Sequence, residues 1–326
     1  MIICLILVFL IISLLCAIKC RIRKLYHGIY WINDYSKRIN ATYTINKYKI
    51  PEMLFRIATC WLRSYPSIYI IGEMKCGTTA LNEYLNQHPL IKSKTKQFVK
   101  EPHFFEGRSL FRDNFEDCTW LYKSFFDWSW KNSAYQIDST PQKLYSHWII
   151  KKIKQISPNS KVIVCVREPI SRAISNYVML FNRKKEKREI NKLFEGQLNI
   201  KNENMSDSTS ISTYIKGNDF IFPLLDYPYL LRGKYVNGIK ECDKLFGKNM
   251  YIMKQEKLWK EPQETLDEIC YFLSLPSIES LTIIEKNKGN SDSIPIKLTD
   301  DLRNKLKEYY LESNTELYEK YGISFE

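Results

Sequence analysis

The sequence predicts an α/β fold with a P-loop-like central parallel sheet, flanked by helices and preceded by an N-terminal membrane anchor. The run "SIYIIG", starting at Ser67, ends at Gly72 and is followed by a loop and then by "TTALNEYLNQHP". Two later apolar runs, "KVIVCV" (Lys161–Val166) and "MYIMK" (Met250–Lys254), are also each followed by a helical pattern. Strands that alternate with helices are typical of a mainly parallel sheet.

The first strand and helix follow from residue type and spacing. "SIYIIG" is β-branched and aromatic and ends at a glycine, which favours a buried strand. In the next segment Leu81, Tyr84 and Leu85 have helical spacing, and the pattern stops before Pro89. The second run, Lys161–Val166, is apolar almost throughout, as expected of a strand in a sheet covered on both faces.

Later elements are predicted in the same way. "REPISRAISNYVMLF" places one apolar face on a helix, and "QETLDEICYFLSL" after Pro262 forms another helix. The C-terminal stretch Asp300–Tyr321 is amphipathic and opens with a Thr299 or Asp300 cap. Residues 182–210 are charged and polar, and their composition predicts a mobile insertion.

The composition indicates a folded chain with anionic partners. The 326 residues are 44% hydrophobic, and 49 basic residues exceed 36 acidic ones to give a net charge of +13. Such an excess favours nucleic acid, membrane surfaces, polyanionic sugars or a phosphorylated cofactor; a biased genome is the alternative explanation. No RNA-binding aromatic motif, zinc-finger spacing or helix-turn-helix pattern indicates a nucleic-acid partner. Four single histidines predict no metal site.

The N-terminus predicts a membrane segment. The first 18 residues carry no charge and just reach the length of a spanning helix. We divide the chain into a signal anchor (1–19), a polar stem (20–65) and a folded domain (66–326); a cleaved signal peptide is the alternative. Basic residues after the span favour a cytoplasmic domain under the positive-inside rule, whereas sequons at Asn40 and Asn204 favour a lumenal, glycosylated one.

Nine cysteines do not form a disulfide scaffold in a chain of this length. Some lie in or beside the apolar N-terminus, in the glycine loop or in a buried strand. The remaining four, an even number that can form two bridges, are Cys60, Cys118, Cys242 and Cys270. The sequence does not pair them.

The loop "IIGEMKCGTTAL" (70–81) has the frame of a phosphate-binding loop. Gly72 and Gly77 stand five residues apart, but Thr78 occupies the position where a triphosphate loop has its lysine. The lysine, Lys75, lies inside the loop instead. A strand–loop–helix junction offers backbone N–H groups and the positive end of a helix dipole to an anion. No acidic strand for magnesium follows, because "KVIVCVRE" continues into Arg167; a P-loop kinase or triphosphatase is therefore the weaker interpretation.

These segments resemble the sulfotransferases that use PAPS (3′-phosphoadenosine 5′-phosphosulfate). "IIGEMKCGTTALNEYLNQHP" resembles their 5′-phosphosulfate loop, and "VREPISRAISNY" their 3′-phosphate-binding strand and helix. "KEPHFFE" (100–106) resembles the segment that carries the catalytic glutamate in the Golgi heparan- and chondroitin-type carbohydrate branch. "RGKYVNGIKECDKLFG" and "QEKLWKEPQETLDEICYFLSLP" resemble the same branch, so the similarity covers about residues 67–326.

The resemblance implies roles for individual residues. Lys75 would stabilise the charge on the leaving phosphate, Glu101 would be the general base, and His103 would support it. Arg172 would bind the cofactor or face solvent, and Glu106 would touch the acceptor or be solvated. The implied cofactor-binding residues are Lys75, Cys76, Gly77, Thr78, Thr79, Ala80, Arg167, Ser175, Lys288 and Gly289.

Two departures bear on the acceptor. Ser139 in "IDSTPQKLY" stands where the heparan 3-O-type enzymes have a lysine before Thr-Pro, and the sequence leaves open whether Lys143 compensates. No cysteine follows Cys270, so the disulfide-closed C-terminal hairpin of those enzymes is absent from the sequence. Both features shape the sugar site in that branch.

The expected function is therefore sulfuryl transfer from PAPS, with PAP as product and no metal, to a hydroxyl or amine of a glycosaminoglycan-like glycan. The resemblance further implies a single-pass type II protein with its domain in the Golgi lumen. Three alternatives remain: a sulfotransferase for tyrosine or a small hydroxylated acceptor, a P-loop kinase or NTPase, and a non-catalytic binder of anionic glycans. The sequence does not predict an oligomeric state.

Overall fold

A parallel five-stranded sheet organises the computed structural model, which describes residues 50–92, 101–102, 104–105, 115–128, 135–141, 143–198, 228–284 and 297–325. The strands are β1 (Ile68–Gly72), β2 (Ile91–Lys92), β3 (Tyr135–Asp138), β4 (Lys161–Val166) and β5 (Met250–Lys254). Their order is β2-β3-β1-β4-β5, and every neighbouring pair is parallel. The predicted parallel sheet is confirmed, and three of its strands lie where the sequence placed them.

Helices flank the sheet and connect its strands. They are α1 (Ile50–Ala58), α2 (Thr78–Leu85), α3 (Phe115–Tyr122), α4 (His147–Ile156), α5 (Pro169–Asn182), α6 (Ile190–Leu198), α7 (Val236–Phe246), α8 (Gln255–Lys260), α9 (Pro262–Leu273) and α10 (Asp300–Tyr321). The predicted cap of α10 is present, because Thr299 Oγ1 accepts a hydrogen bond from the Leu302 N–H at 3.3 Å. Among the described residues, no helix combines the length and apolarity needed to cross a bilayer. The anchor at 1–19 and both sequons lie outside the described residues.

The contacts divide the chain into two units. The larger one comprises residues 66–94, 100–102 and 133–326 and contains the whole sheet. Strand β1 is buried along its full length, and β4 is buried from Val162 to Val166. A second apolar cluster joins α5, α6 and α10, with Phe194 and Leu302 fully buried. This unit contains the predicted cofactor loop and its neighbours.

The smaller unit is built around two arginines and a group of aromatic rings. The Arg56 guanidinium donates to the carbonyls of Ser124 and Phe126, at 2.6 and 2.8 Å. Arg63 also donates to the Phe126 carbonyl, at 2.9 Å, and lies 3.9 Å from the Trp128 ring centroid. These hydrogen bonds satisfy main-chain carbonyls beside the aromatic rings, so the arginines fix the chain near residue 126.

Two sequence expectations change. The prediction of a mobile insertion over residues 182–210 is wrong for Ile190–Leu198, which forms helix α6 with Ile190, Leu193 and Phe194 buried; residues 199–210 lie outside the described residues. The sequence missed this helix because its apolar residues are few and lie among charges. No pair of disulfide bridges forms either, since Cys60, Cys242 and Cys270 are buried free thiols.

Candidate functional site

The carboxyl ends of the parallel strands place the candidate site. In a parallel sheet these ends share one edge, and ligands bind where the strand order reverses. Strand β1 lies between β3 and β4, so that reversal occurs at the loop after Gly72. Gly72 is required there, because an added Cβ would lie 2.7 Å from the Cys165 carbonyl oxygen.

The loop turns into α2 at Gly77. Gly77 has a φ of 84°, in the left-handed region that glycine tolerates, and is the N-cap of α2. The backbone therefore bends sharply before Thr78, and the N-terminus of α2 meets the loop. Thr78 and Ala80 are buried, whereas Thr79 is exposed. The loop and helix predicted from the two glycines are confirmed.

Lys75 is held in an unusual backbone conformation. Its φ is 74°, which is uncommon for a residue with a side chain and indicates local strain. The Arg167 guanidinium donates to the Lys75 carbonyl oxygen at 3.3 Å, so the predicted 3′-phosphate arginine lies against the loop. Burial, with Arg167 and then Arg183 nearby, lowers the pKa of Lys75. A bound anion would reverse this effect by stabilising the ammonium.

Cys76 stabilises the loop through a main-chain hydrogen bond and through the burial of its side chain. Its side chain is fully buried, and its N–H donates to the Glu73 carbonyl at 3.3 Å. Burial raises the pKa of the Cys76 thiol to about 12, so the thiol keeps its proton at neutral pH. The expected contact of Cys76 with an anion is therefore restricted to main-chain atoms.

The second predicted motif follows β4. Arg167 comes directly after the strand, and Ser175 lies in the second turn of α5; both are half-buried. Glu168 caps the helix, accepting hydrogen bonds from the N–H groups of Ile170 (2.9 Å) and Ser171 (2.6 Å). The cap fixes the direction of α5 relative to the end of β4.

The predicted catalytic segment is described only in part. Glu101 is half-buried. Phe104 is buried and packs on Tyr122 in the smaller unit, with ring centroids 4.9 Å apart. His103, Glu106, Lys288 and Gly289 lie outside the described residues. The roles of these residues stay predictions.

Burial decides between alternatives that the sequence left open for two residues. Arg172 does not face solvent: it is fully buried, and its guanidinium donates to the Tyr229 carbonyl. Lys143 is also buried and forms an ion pair with Asp138 at 2.7 Å. Because its charge is already neutralised, Lys143 does not replace the lysine whose position Ser139 occupies.

Two residues beside the loop were missed by sequence reasoning. Gln255, the first residue after β5, packs against Gly77, where an added Cβ would lie 3.0 Å from Gln255 Cγ. Its buried Oε1 has no hydrogen-bond partner in the described part of the chain. Tyr235 donates a hydrogen bond to the Arg167 carbonyl at 2.9 Å. Gln255 could have been found from the sequence, because it directly follows a predicted strand of the parallel sheet. No local sequence feature indicated that Tyr235 lies near the loop.

Comparison with known proteins gives a consistent result. The sequence profile described as "Sulfotransferase domain" matches residues 66–310. Heparan sulfate glucosamine 3-O-sulfotransferase 6 of Homo sapiens is 31% identical over 121 residues, which are 37% of this chain and 32% of that protein. Heparan sulfate glucosamine 3-O-sulfotransferase 5 of Mus musculus is 28% identical over 134 residues, 41% of this chain and 36% of that protein. The chain thus matches about a third of the length of these relatives.

The fold also has a solved counterpart. A sulfotransferase from Alicyclobacillus acidocaldarius superposes with a TM-score of 0.56 at 19% identity, covering 80% of this chain and 98% of that one. At this identity the likeness concerns the fold. The chain therefore shares its overall fold with a solved structure.

Proposed function

Because the chain belongs to the sulfotransferase domain family, we propose that it transfers the sulfuryl group of PAPS to a hydroxyl or amine of a glycan. The observation that carries this proposal is the position of Lys75. Lys75 lies in the glycine loop after β1, where the strand order of the sheet reverses, and a second cation, Arg167, lies beside it. A cationic loop of this kind fits a substrate that carries phosphate and sulfate groups.

The donors around the loop fit PAPS. The N-terminus of α2 supplies backbone N–H groups and a positive dipole for the 5′-phosphate, with the exposed Thr79 hydroxyl beside them. The guanidinium of the half-buried Arg167 can donate two charge-assisted hydrogen bonds to the 3′-phosphate. The Ser175 hydroxyl is a further proposed donor to this phosphate. Gln255 contributes a buried amide against Gly77. Lys288 and Gly289 remain proposed contacts from outside the described residues.

The proposed chemistry needs little covalent work from the protein. PAPS supplies an activated sulfuryl group, and in-line positioning with charge stabilisation accounts for the rate. Lys75 would stabilise the charge that develops on the bridging oxygen of the leaving phosphate. Glu101 would accept the proton of the acceptor hydroxyl, and His103 would orient Glu101.

The names of the matched relatives direct the choice of acceptor. They are enzymes of heparan sulfate glucosamine, so we propose a glycosaminoglycan-like acceptor for this chain. The ion pair of Lys143 with Asp138 removes Lys143 as a replacement for the lysine that Ser139 substitutes, which favours a different arrangement of sugar contacts. We also propose that residues 1–19 anchor the chain with its domain in the Golgi lumen, in agreement with the two sequons.

Thermal unfolding of the full-length chain tests the cosubstrate. A ligand that binds the folded state at a hundredfold excess over its dissociation constant adds about 2.7 kcal/mol to the free energy of unfolding. We expect a higher melting temperature with PAP and no change with ATP and Mg²⁺. Stabilisation by ATP and Mg²⁺ alone would assign the loop to a nucleoside triphosphate.

The Glu101→Gln variant tests the general base. It keeps the shape of the side chain but cannot take a proton, so transfer from radiolabelled PAPS to heparan or chondroitin chains should disappear while PAP affinity stays nearly unchanged. Glu279→Gln, a change at an exposed glutamate, is the matched control. Unchanged turnover in Glu101→Gln would remove Glu101 from this role.

A further inference from the structure

A short segment that no cofactor motif includes lies against both predicted phosphate sites. Residues 229–235, here the clamp segment, precede α7 and contain the 3₁₀ turn Leu231–Gly233. The Tyr310 hydroxyl of α10 donates to the Leu230 carbonyl at 2.7 Å. An added Cβ at Gly233 would lie 2.8 Å from the Tyr310 ring and 2.9 Å from Pro169, at the start of α5. The clamp segment is therefore closely fitted against two helices.

The first contact of the clamp segment is with the start of the loop. Arg232 Nη1 donates to Glu73 Oε2 at 2.8 Å, and both side chains are almost completely buried. Glu73 immediately follows Gly72 of β1 and precedes Lys75 by two residues. A buried pair of this kind is costly to break, because either partner alone would be an uncompensated charge.

The second contact comes from Tyr235 at the other end of the segment. Its hydroxyl donates to the Arg167 carbonyl at 2.9 Å, and the same oxygen lies 3.7 Å from Cys76 Sγ. Because the phenol proton is used on Arg167, the Cys76 thiol is the donor in the second contact. Burial raises the pKa of Tyr235 well above its usual value, so the phenol stays protonated. One buried hydroxyl thus joins the loop to the strand end that carries Arg167.

We propose that Tyr235 is a positioning residue that sets the distance between the 5′-phosphate loop and Arg167. The inference rests on the proposed use of PAPS. In the proposed complex, Lys75 contacts the 5′-phosphosulfate of PAPS and Arg167 contacts its 3′-phosphate. A shift of one backbone relative to the other would therefore weaken both contacts. The direct hydrogen bond from Arg167 to the Lys75 carbonyl is long, at 3.3 Å, and the Tyr235 hydroxyl supplies the second link.

Tyr235→Phe tests the inference, with Tyr69→Phe as its control. Tyr69 is also fully buried, and its hydroxyl lies 3.0 Å from Ser157 Oγ; the sequence places it before Gly72, outside the loop. Calorimetric titration of each full-length variant with PAP is compared with the melting temperature of the ligand-free protein. We expect Tyr235→Phe to raise the PAP dissociation constant about tenfold, while both variants lower the melting temperature to a similar extent.

The outcomes separate this inference from the proposed function. Unchanged PAP affinity in Tyr235→Phe, with normal binding by the unaltered chain, overturns the role of Tyr235 and leaves the proposed function intact. An equal loss of PAP affinity in Tyr69→Phe also overturns it, since any lost buried hydroxyl would then have the same effect. Failure of the unaltered chain to bind PAP overturns both proposals.

Discussion

Two lysines near the same edge of the sheet differ in how their charge is balanced. Lys143, shortly after β3, is 1% exposed and forms an ion pair at 2.7 Å with Asp138, which is equally buried. Lys75, in the loop after β1, is partly buried beside Arg167, and among the described residues no carboxylate lies within ion-pair distance of it. One lysine is neutralised by the protein, whereas the other has like charges as neighbours.

The difference distinguishes a charge that the protein itself neutralises from one that we propose to be neutralised by a substrate. Asp138 Oδ1 also accepts hydrogen bonds from the Thr140 N–H and hydroxyl, at 2.8 and 2.6 Å, so the Lys143 site is balanced without a ligand. The location of Lys75 costs free energy through its strained backbone and through desolvation of its ammonium group. An anion bound beside the ammonium would offset the desolvation and the repulsion from neighbouring cations. A half-buried cation of this kind is a candidate for binding an anionic substrate, which is the role that we propose for Lys75.

The largest expected effect is on the balanced lysine. Lys143→Met leaves the Asp138 carboxylate buried without its cation, which should lower the free energy of unfolding by about 3–5 kcal/mol. Urea denaturation measures this loss, and Lys151→Met, at an exposed ion pair, should cost under about 1 kcal/mol. PAP affinity should stay within about twofold, by calorimetry. If Lys143→Met kept its full stability but lost PAP binding, Lys143 would be the substrate-binding lysine and the comparison with Lys75 would be wrong.

The opposite pattern is expected for the unbalanced lysine. Lys75→Met removes the charge that we propose to stabilise the leaving phosphate, so single-turnover transfer from PAPS should fall about 100- to 1,000-fold. Stability should be unchanged or higher, because a desolvated cation has been removed. Lys248→Met, at an exposed site, is the control. A strongly destabilised Lys75→Met protein would show that Lys75 has a structural partner after all.

A smaller change tests how the Asp138 site is balanced. Thr140→Val keeps the side-chain shape and removes one of the donors to Asp138 Oδ1. Since hydrogen bonds to charged groups contribute about 1.5–3 kcal/mol, we expect a loss near the lower end of that range. Urea denaturation of Thr140→Val and Lys143→Met, singly and together, measures their coupling. Strict additivity would mean that the two donors do not share the carboxylate.

The smallest effect is a pH dependence of PAP binding. The pKa of Lys75 is lowered in the free protein by burial and by Arg167 and Arg183, and a bound phosphate should raise it again. Binding is then accompanied by proton uptake at Lys75, and affinity falls as the pH rises through its free-protein pKa. Titrations in buffers of different ionisation enthalpy detect the proton. In Lys75→Arg the dependence should disappear, and its persistence would assign it to another group.

The loop and its flanking elements could be predicted because their causes are local. Gly72 and Gly77 are five residues apart between an apolar run and a helical pattern, and the structure has β1, the left-handed Gly77 and α2 there. Thr299 before an amphipathic run gave the cap of α10 correctly. The alternation of strands and helices indicated the parallel sheet, because parallel neighbours require a crossover connection.

Short or polar elements were harder to predict. Strand β2 has two residues, and β3 buries Gln136 and Asp138, so neither has a strong apolar pattern. Their place in the sheet depends on pairing with distant residues, such as Ile137 with Ile68. The sequence left the environments of Arg172 and Lys143 open for a related reason. A basic side chain is ordinarily expected at the surface, and only a distant or buried acceptor brings it into the core.

By itself, the sequence determined strands β1, β4 and β5 with the helices that follow them, the turn of the phosphate-binding loop at Gly77, and the positions of Lys75 and Arg167 at the ends of two strands. Each of these follows from neighbouring residues or from a recognisable spacing. Only the tertiary structure decided that Arg232 pairs with Glu73, that Tyr235 joins the loop to Arg167, and that Lys75 lies among cations. These contacts join residues separated by up to 159 positions, and local propensity contains no information about which distant groups a folded core brings together.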